Sequence, residues 1–169
     1  MIPLKPIFSL PGFQHLVYRL QHGESLDNLG LLRSARLPLV AALHASLKRP
    51  LLLITDRSDR ALALLDELNL WAPQTTCLYF PEPTSLFYEV APWDETTRRS
   101  RLLVLTYLAS QHIPALRQKG QVNQQAAIIV TTARAVMTRT LPRRDFIKAL
   151  SLIHISEPTR LLSISYAVF

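Results

Sequence analysis

The chain has 169 residues, 49% of them hydrophobic and 18% charged, with 4 glycines against 12 prolines. That balance supports one compact domain with a real core and excludes a disordered, collagen-like or coiled-coil chain. Nineteen Lys and Arg stand against twelve Asp and Glu, a net charge of +7, in the range where a nucleic-acid partner must be considered. The single cysteine, Cys77, makes no internal disulfide and fits a reducing cytoplasm. The opening segment is broken by Pro3, Pro6 and Pro11 and does not read as a secretory signal. The longest apolar stretches, near Leu37 to Leu47 and Leu51 to Ile54, fall short of the roughly 20 residues of a membrane span, so a soluble protein without a membrane partner is expected.

In chain order, a Pro-rich lead and a short helix around Phe13 to Leu20 give way to the polar stretch His22 to Asn28. From Ser34 to Lys48, Leu39, Val40, Leu43 and Leu47 recur at helical spacing, with Pro38 tolerated in the first turn. Leu51-Leu52-Leu53-Ile54, bounded by Pro50 and Thr55-Asp56, reads as a strand buried on both faces. Asp56 or Ser58 is placed to cap a helix whose stripe is Ala61, Leu62, Leu65 and Leu68, ending at Pro73. A second strand, Thr76 to Phe80, stops at Pro81-Glu82-Pro83. Asp94 caps a helix to about Leu108, with Leu102, Leu105 and Leu108 inward, and a polar loop over Arg117 to Gln125 follows. Ala127-Ile128-Ile129-Val130 reads as a third buried strand, and Ala133 to Arg139 as a short helix before Pro142. Strands alternating with helices predict a parallel sheet with right-handed crossovers. Ser151 to Phe169 carries no periodicity and resembles a translated adaptor or vector sequence, so the native part is expected to end near Leu150.

A phosphate-binding loop uses glycines for close backbone approach, a lysine for charge and a Ser/Thr hydroxyl for magnesium. The segment Gly30-Leu31-Leu32-Arg33-Ser34-Ala35-Arg36-Leu37 occupies the corresponding place with different chemistry. Arg33 and Ala35 replace glycines, Arg36 replaces the lysine, and Leu37 removes the metal hydroxyl. Asp66-Glu67 suggests a magnesium-binding acidic pair, but the surrounding helical period makes it a solvated helix face. His15, His22, His44, His112 and His154 lack ligand spacing, and Cys77 on an apolar strand reads as core. Arg98-Arg99-Ser100-Arg101 has the charge to touch phosphate, but a solvated face with local ion pairs is the simpler reading. Tyr79, Phe80, Phe87, Tyr88 and Trp93 surround a Pro-rich turn; they suit base stacking, or the commoner role of packing a long loop onto the sheet.

The run Arg49-Pro50-Leu51-Leu52-Leu53-Ile54, then Phe80-Pro81 with Tyr88-Glu89 and Pro92, Arg101-Leu102, and the stretch from Ile129-Val130-Thr131-Thr132 through Ala133-Arg134 to Thr138-Arg139 resemble, in order and spacing, the N-terminal module of bacterial transcription-repair coupling factors (Mfd). The likeness covers about Phe13 to Phe146. It implies a RecA-like, P-loop NTPase-like α/β fold, a parallel sheet flanked by helices and incomplete here. That module is similar to the first nucleotide-binding domain of the UvrB excision-repair protein, with a decayed phosphate loop at Gly30 to Leu37. The implied organisation is a lead over residues 1–28, the degenerate UvrB-like domain over 29–150, and a non-native tail over 151–169. The resemblance implies a scaffold with no catalytic, cofactor-binding or metal-ligating residue of its own. In the whole family protein, ATP and magnesium serve motor domains that translocate on DNA, displace stalled RNA polymerase and recruit UvrA, all beyond Leu150. The long aromatic hairpin with which UvrB clamps DNA has no counterpart between Tyr79 and Asp94. Two other classes remain open from the residues: a small nucleotide-binding α/β enzyme, and a basic nucleic-acid-binding module.

Overall fold

A computed structural model of the chain describes residues 4–83, 93–112, 126–140 and 142–148. Two short helices, α1 (Lys5–Phe8) and α2 (Pro11–Gln21), precede α3 (Arg33–Leu47), β1 (Leu51–Thr55), α4 (Ser58–Trp71), β2 (Cys77–Phe80), α5 (Glu95–His112), β3 (Ile128–Thr132) and α6 (Ala133–Met137). The three strands are parallel in the order β1-β3-β2, with Leu51 and Cys77 both opposite Ile128 and Leu53 and Tyr79 both opposite Val130. The expected α/β class with a parallel sheet between helices is therefore present. Pro-rich-turn residues Phe87, Tyr88, Glu89 and Pro92, the loop from Arg117 to Gln125, and the tail from Ser151 lie outside the described residues.

Alternation along β3 divides the core. Ile128 and Val130 face α3 and α4, where Leu37, Ala61 and Leu68 close over them with Leu64, Leu65 and Trp71 at the margin. Ile129 faces the other way and meets Val104 of α5, Phe80 and Ala135. Every residue of β3 is buried, as expected for the central strand of a parallel sheet covered on both sides. Phe146 extends this second layer, packing on Leu102, Leu105 and Ala109 of α5.

Several sequence expectations are corrected. β1 is not buried on both faces: Leu52 is 54% and Ile54 52% exposed, because β3, not β1, takes the centre and α5 packs over β2. Pro38 lies in the second turn of α3, since the helix begins at Arg33. Proline there cannot donate to the carbonyl of Ser34, and the cost is moderated because Ser34 is exposed to water. Neither Asp56 nor Ser58 caps α4. The cap position is Arg57 and has no side-chain cap bond; Asp56 instead accepts from Thr55 and Arg60, and Ser58 donates to Glu82. Leu62 is exposed, and the α4 stripe runs through Ala61, Leu64, Leu65 and Leu68. The last helix ends at Met137, with Thr138 already extended. By contrast, Asp94 does cap α5, accepting from the Thr97 amide at 2.9 Å.

Candidate functional site

In a parallel α/β sheet the functional side is normally the carboxyl edge of the strands, where loops lead into helix starts. Here that edge is formed by Thr55 and Asp56 after β1, Phe80 to Glu82 after β2, and Thr132 leading into α6. α3 runs against the strands: His44, near its end, contacts the carbonyl of Ala126 just before β3 through Nε2 at 2.6 Å. Its first turn therefore lies toward the carboxyl edge.

Gly30 to Leu37 is thus on the side where a phosphate loop works, but its parts point elsewhere. Gly30 adopts a left-handed conformation, φ 61°, which glycine supplies without strain. Arg33, Ser34, Ala35 and Arg36 form the exposed opening turn of α3, where the Ala35 amide is already bonded to the Leu32 carbonyl. The Arg36 guanidinium reaches back to the Leu31 carbonyl at 3.5 Å. Leu37 is only 4% exposed and sits in the core with Ala61, Ile128 and Val130. Where a phosphate loop has its metal hydroxyl, this segment has a core side chain.

A hydrogen-bonded polar cluster of the carboxyl edge was not anticipated from the sequence. Glu82 accepts from the Ser58 hydroxyl at 2.6 Å through one oxygen and from the Thr132 hydroxyl at 3.1 Å through the other. Thr132 in turn caps α6 by accepting from the Ala135 amide at 3.1 Å, while Thr131 donates to the Phe80 carbonyl at 2.9 Å. Glu82 thereby ties the start of α4 to the end of β3 across the sheet. With both carboxylate oxygens engaged by hydroxyls inside the protein, it is a structural acceptor. Beside it, the Thr55 hydroxyl and, more weakly, Arg60 hold the Asp56 carboxyl below its usual range. No group of three or more His, Cys, Asp or Glu side chains suited to a metal ion occurs among the described residues.

Arg101 departs furthest from expectation. Instead of joining a solvated basic face, it is 1% exposed. Its Nη1 donates to the Pro81 carbonyl at 2.8 Å and, at 3.3 Å, to that of Ala135. The guanidinium lies 4.0 Å from the centre of the Phe80 ring and 4.9 Å from that of Trp93, a stacked arrangement that Arg tolerates better than Lys because its charge is planar and weakly hydrated. Nε and Nη2 have no hydrogen-bond partner among the described residues. Burial pulls its pKa down to about 10. Arg99, two residues earlier, is exposed as expected, and Arg98 is half-buried. The sequence did contain a signal, for Arg101 falls on the same stripe as Leu105 and Leu108, four and seven residues on, so helical phase alone places it inward.

The remaining candidates behave more simply. Asp66 and Glu67 are exposed on α4. Cys77 is half-buried on β2, and burial pushes its thiol pKa up. Of the aromatic group, Phe80 is buried, Tyr79 is half-buried against the first core layer, and Trp93 is half-buried beside Arg101. No described helix is long and apolar enough to cross a membrane. Comparison with protein-family models, with curated proteins and with solved structures gives no match to this chain.

Proposed function

We propose that the chain is a non-catalytic scaffold, the opening RecA-like segment of a transcription-repair coupling factor. In this reading the whole protein is an ATP-driven DNA translocase of the cytoplasm that displaces stalled RNA polymerase and recruits UvrA. This segment supplies the sheet against which the following subdomain folds. The observation that carries the reading is Leu37. A nucleotide site needs a hydroxyl near that position and open backbone amides before it, whereas here the position is core and the amide of Ala35 is spent inside the helix start. The order of the resembling segments supports it further, since β1 and β3 with α6 fall on them and β2 ends at Phe80, where another begins.

Two measurements test it. Calorimetric titration with Mg-ATP gives no binding heat, and micromolar binding that vanishes in Arg36→Ala overturns the decayed-loop reading. Immobilised at matched salt, the chain alone retains no UvrA, while a longer version carrying the next subdomain does. Equal, salt-resistant retention by the short chain overturns the scaffold assignment.

A further inference from the structure

Arginines gather at the helix starts on the carboxyl side of the sheet. α3, α4 and α5 all begin on the carboxyl side of the sheet, and α6 begins directly at the end of β3. Those starts carry Arg33 and Arg36, Arg57 and Arg60, Arg98, Arg99 and Arg101, and Arg134, with Arg139 one residue beyond Thr138, whose amide bonds back to the Arg134 carbonyl. Against these nine stand five carboxylates, and most are occupied. Asp56 pairs with Arg60, Asp59 with Arg57, Asp94 caps α5, and Glu82 is held by two hydroxyls. Arg33, Arg36, Arg99, Arg134 and Arg139 are exposed and have no acidic partner among the described residues. At the other end of the sheet stand Lys48 and Arg49 after α3, with Asp66 and Glu67 in the later part of α4, and the exposed cations Arg143, Arg144 and Lys148 follow α6.

Folding alone does not favour this arrangement. A helix start carries partial positive charge from its unpaired amides, so acidic residues belong there and arginines oppose it. Three helix starts and five guanidinium groups without an acidic partner among the described residues reinforce each other into a positive rim that an extended anion would relieve. The cations are arginines, forks that bind phosphate oxygens bidentately.

From this we infer that the carboxyl-edge rim is a sequence-independent docking surface for the phosphate backbone of a nucleic acid. The inference stands on charge placement and is independent of the scaffold reading. Arg101, buried and stacked, fixes the start of α5 within the rim and does not itself touch the ligand.

The test is binding of a fluorescent 20-base-pair duplex of arbitrary sequence, followed by anisotropy from 50 to 200 mM salt. Neutralising a phosphate contributes about −0.9 to the slope of log affinity against log salt. Five contacts give a slope of about −4.5, or roughly a 500-fold loss of affinity over that range. The pair Arg33→Gln/Arg36→Gln, and separately Arg134→Gln/Arg139→Gln, each reduce this to roughly a 40-fold loss. Lys48→Gln/Arg49→Gln, at the opposite end, leaves the slope unchanged. All these side chains are exposed, and unchanged circular dichroism confirms that each variant is folded. A shallow slope in the parent chain, or an equal drop for the Lys48/Arg49 pair, overturns the inference in favour of diffuse net charge. Tighter binding of polyglutamate than of the duplex at matched charge and salt overturns it in favour of an acidic protein surface.

Discussion

Replacing Arg101 separates the packing of a buried side chain from its charge. In Arg101→Met the apolar stem still fills the space between Phe80 and Trp93, but the charge is gone. The variant loses the bond to the Pro81 carbonyl, about 1.5–3 kcal/mol for a charged donor, and the stacking on two rings, up to about 2 kcal/mol when desolvated. It also removes two buried nitrogens that have no partner among the described residues, each worth about 1–3 kcal/mol in the opposite direction. The opposing contributions are of equal size, so Arg101→Met is expected within about 1.5 kcal/mol of the parent chain. Arg101→Ala loses the same bonds and also empties the space between the rings, and should lie about 3 kcal/mol below the Met variant. Urea unfolding followed by circular dichroism and tryptophan fluorescence measures all three. The pH dependence carries a sign. With the folded pKa near 10 and below its ordinary value, the unfolded chain holds a proton that the folded chain releases between the two values, so stability rises with pH there. Below about 10 both states are protonated and the burial cost is constant. From pH 8 to pH 11 the parent should therefore gain on Arg101→Met. Met and Ala variants equal to within about 0.5 kcal/mol, the scatter of ordinary surface substitutions, would refute the buried-stack account.

Other expectations follow from single contacts. Asp94→Ala removes the acceptor for the Thr97 amide and should cost about 1 kcal/mol in the same urea assay. Glu82→Ala strands the Ser58 and Thr132 hydroxyls and should cost about 2 kcal/mol; a neutral result would show that water replaces the carboxylate. Cys77, with its thiol pKa raised by burial, should react with a disulfide reagent at pH 8 more slowly than a free thiol and reach the free rate in urea. Deleting residues 151–169 should leave Tm within about 5 °C, as scanning calorimetry will show.

How far the sequence could be read depended on which signal each residue carried. The apolar run Ala127 to Val130 marked a buried strand because continuous apolar, largely β-branched burial has few other uses, and Asp94 marked a helix start because a carboxylate there accepts from the first-turn amides. Leu51 to Ile54 carried the same apolar signal as β3, yet the run does not encode strand order, and only the order β1-β3-β2 exposes Leu52 and Ile54. Arg101 was misread for a different reason: its charge outweighed its helical phase. Glu82 was legible merely as part of a proline-flanked strand stop, because its partners Ser58 and Thr132 are distant in sequence and joined only by the crossovers. The altered chemistry of Gly30 to Leu37 was legible residue by residue, but that Leu37 would be core required the direction of α3.

The strand order also constrains how the chain is made. Among the described residues β1 and β2 pair with β3 and not with each other, so neither has a described sheet partner until β3 has been synthesised. At the usual pace of about 5–20 residues per second, the nascent chain carries Leu51 to Thr55 and Cys77 to Phe80 unpaired for several seconds, with only local helices able to form. Both ladders then close together on one segment, through contacts of long sequence separation that slow folding. The sheet is thus an all-or-none event timed by the arrival of residues 128–132, and a ribosome-bound chain ending at residue 112 should show helix but no protected strand amides.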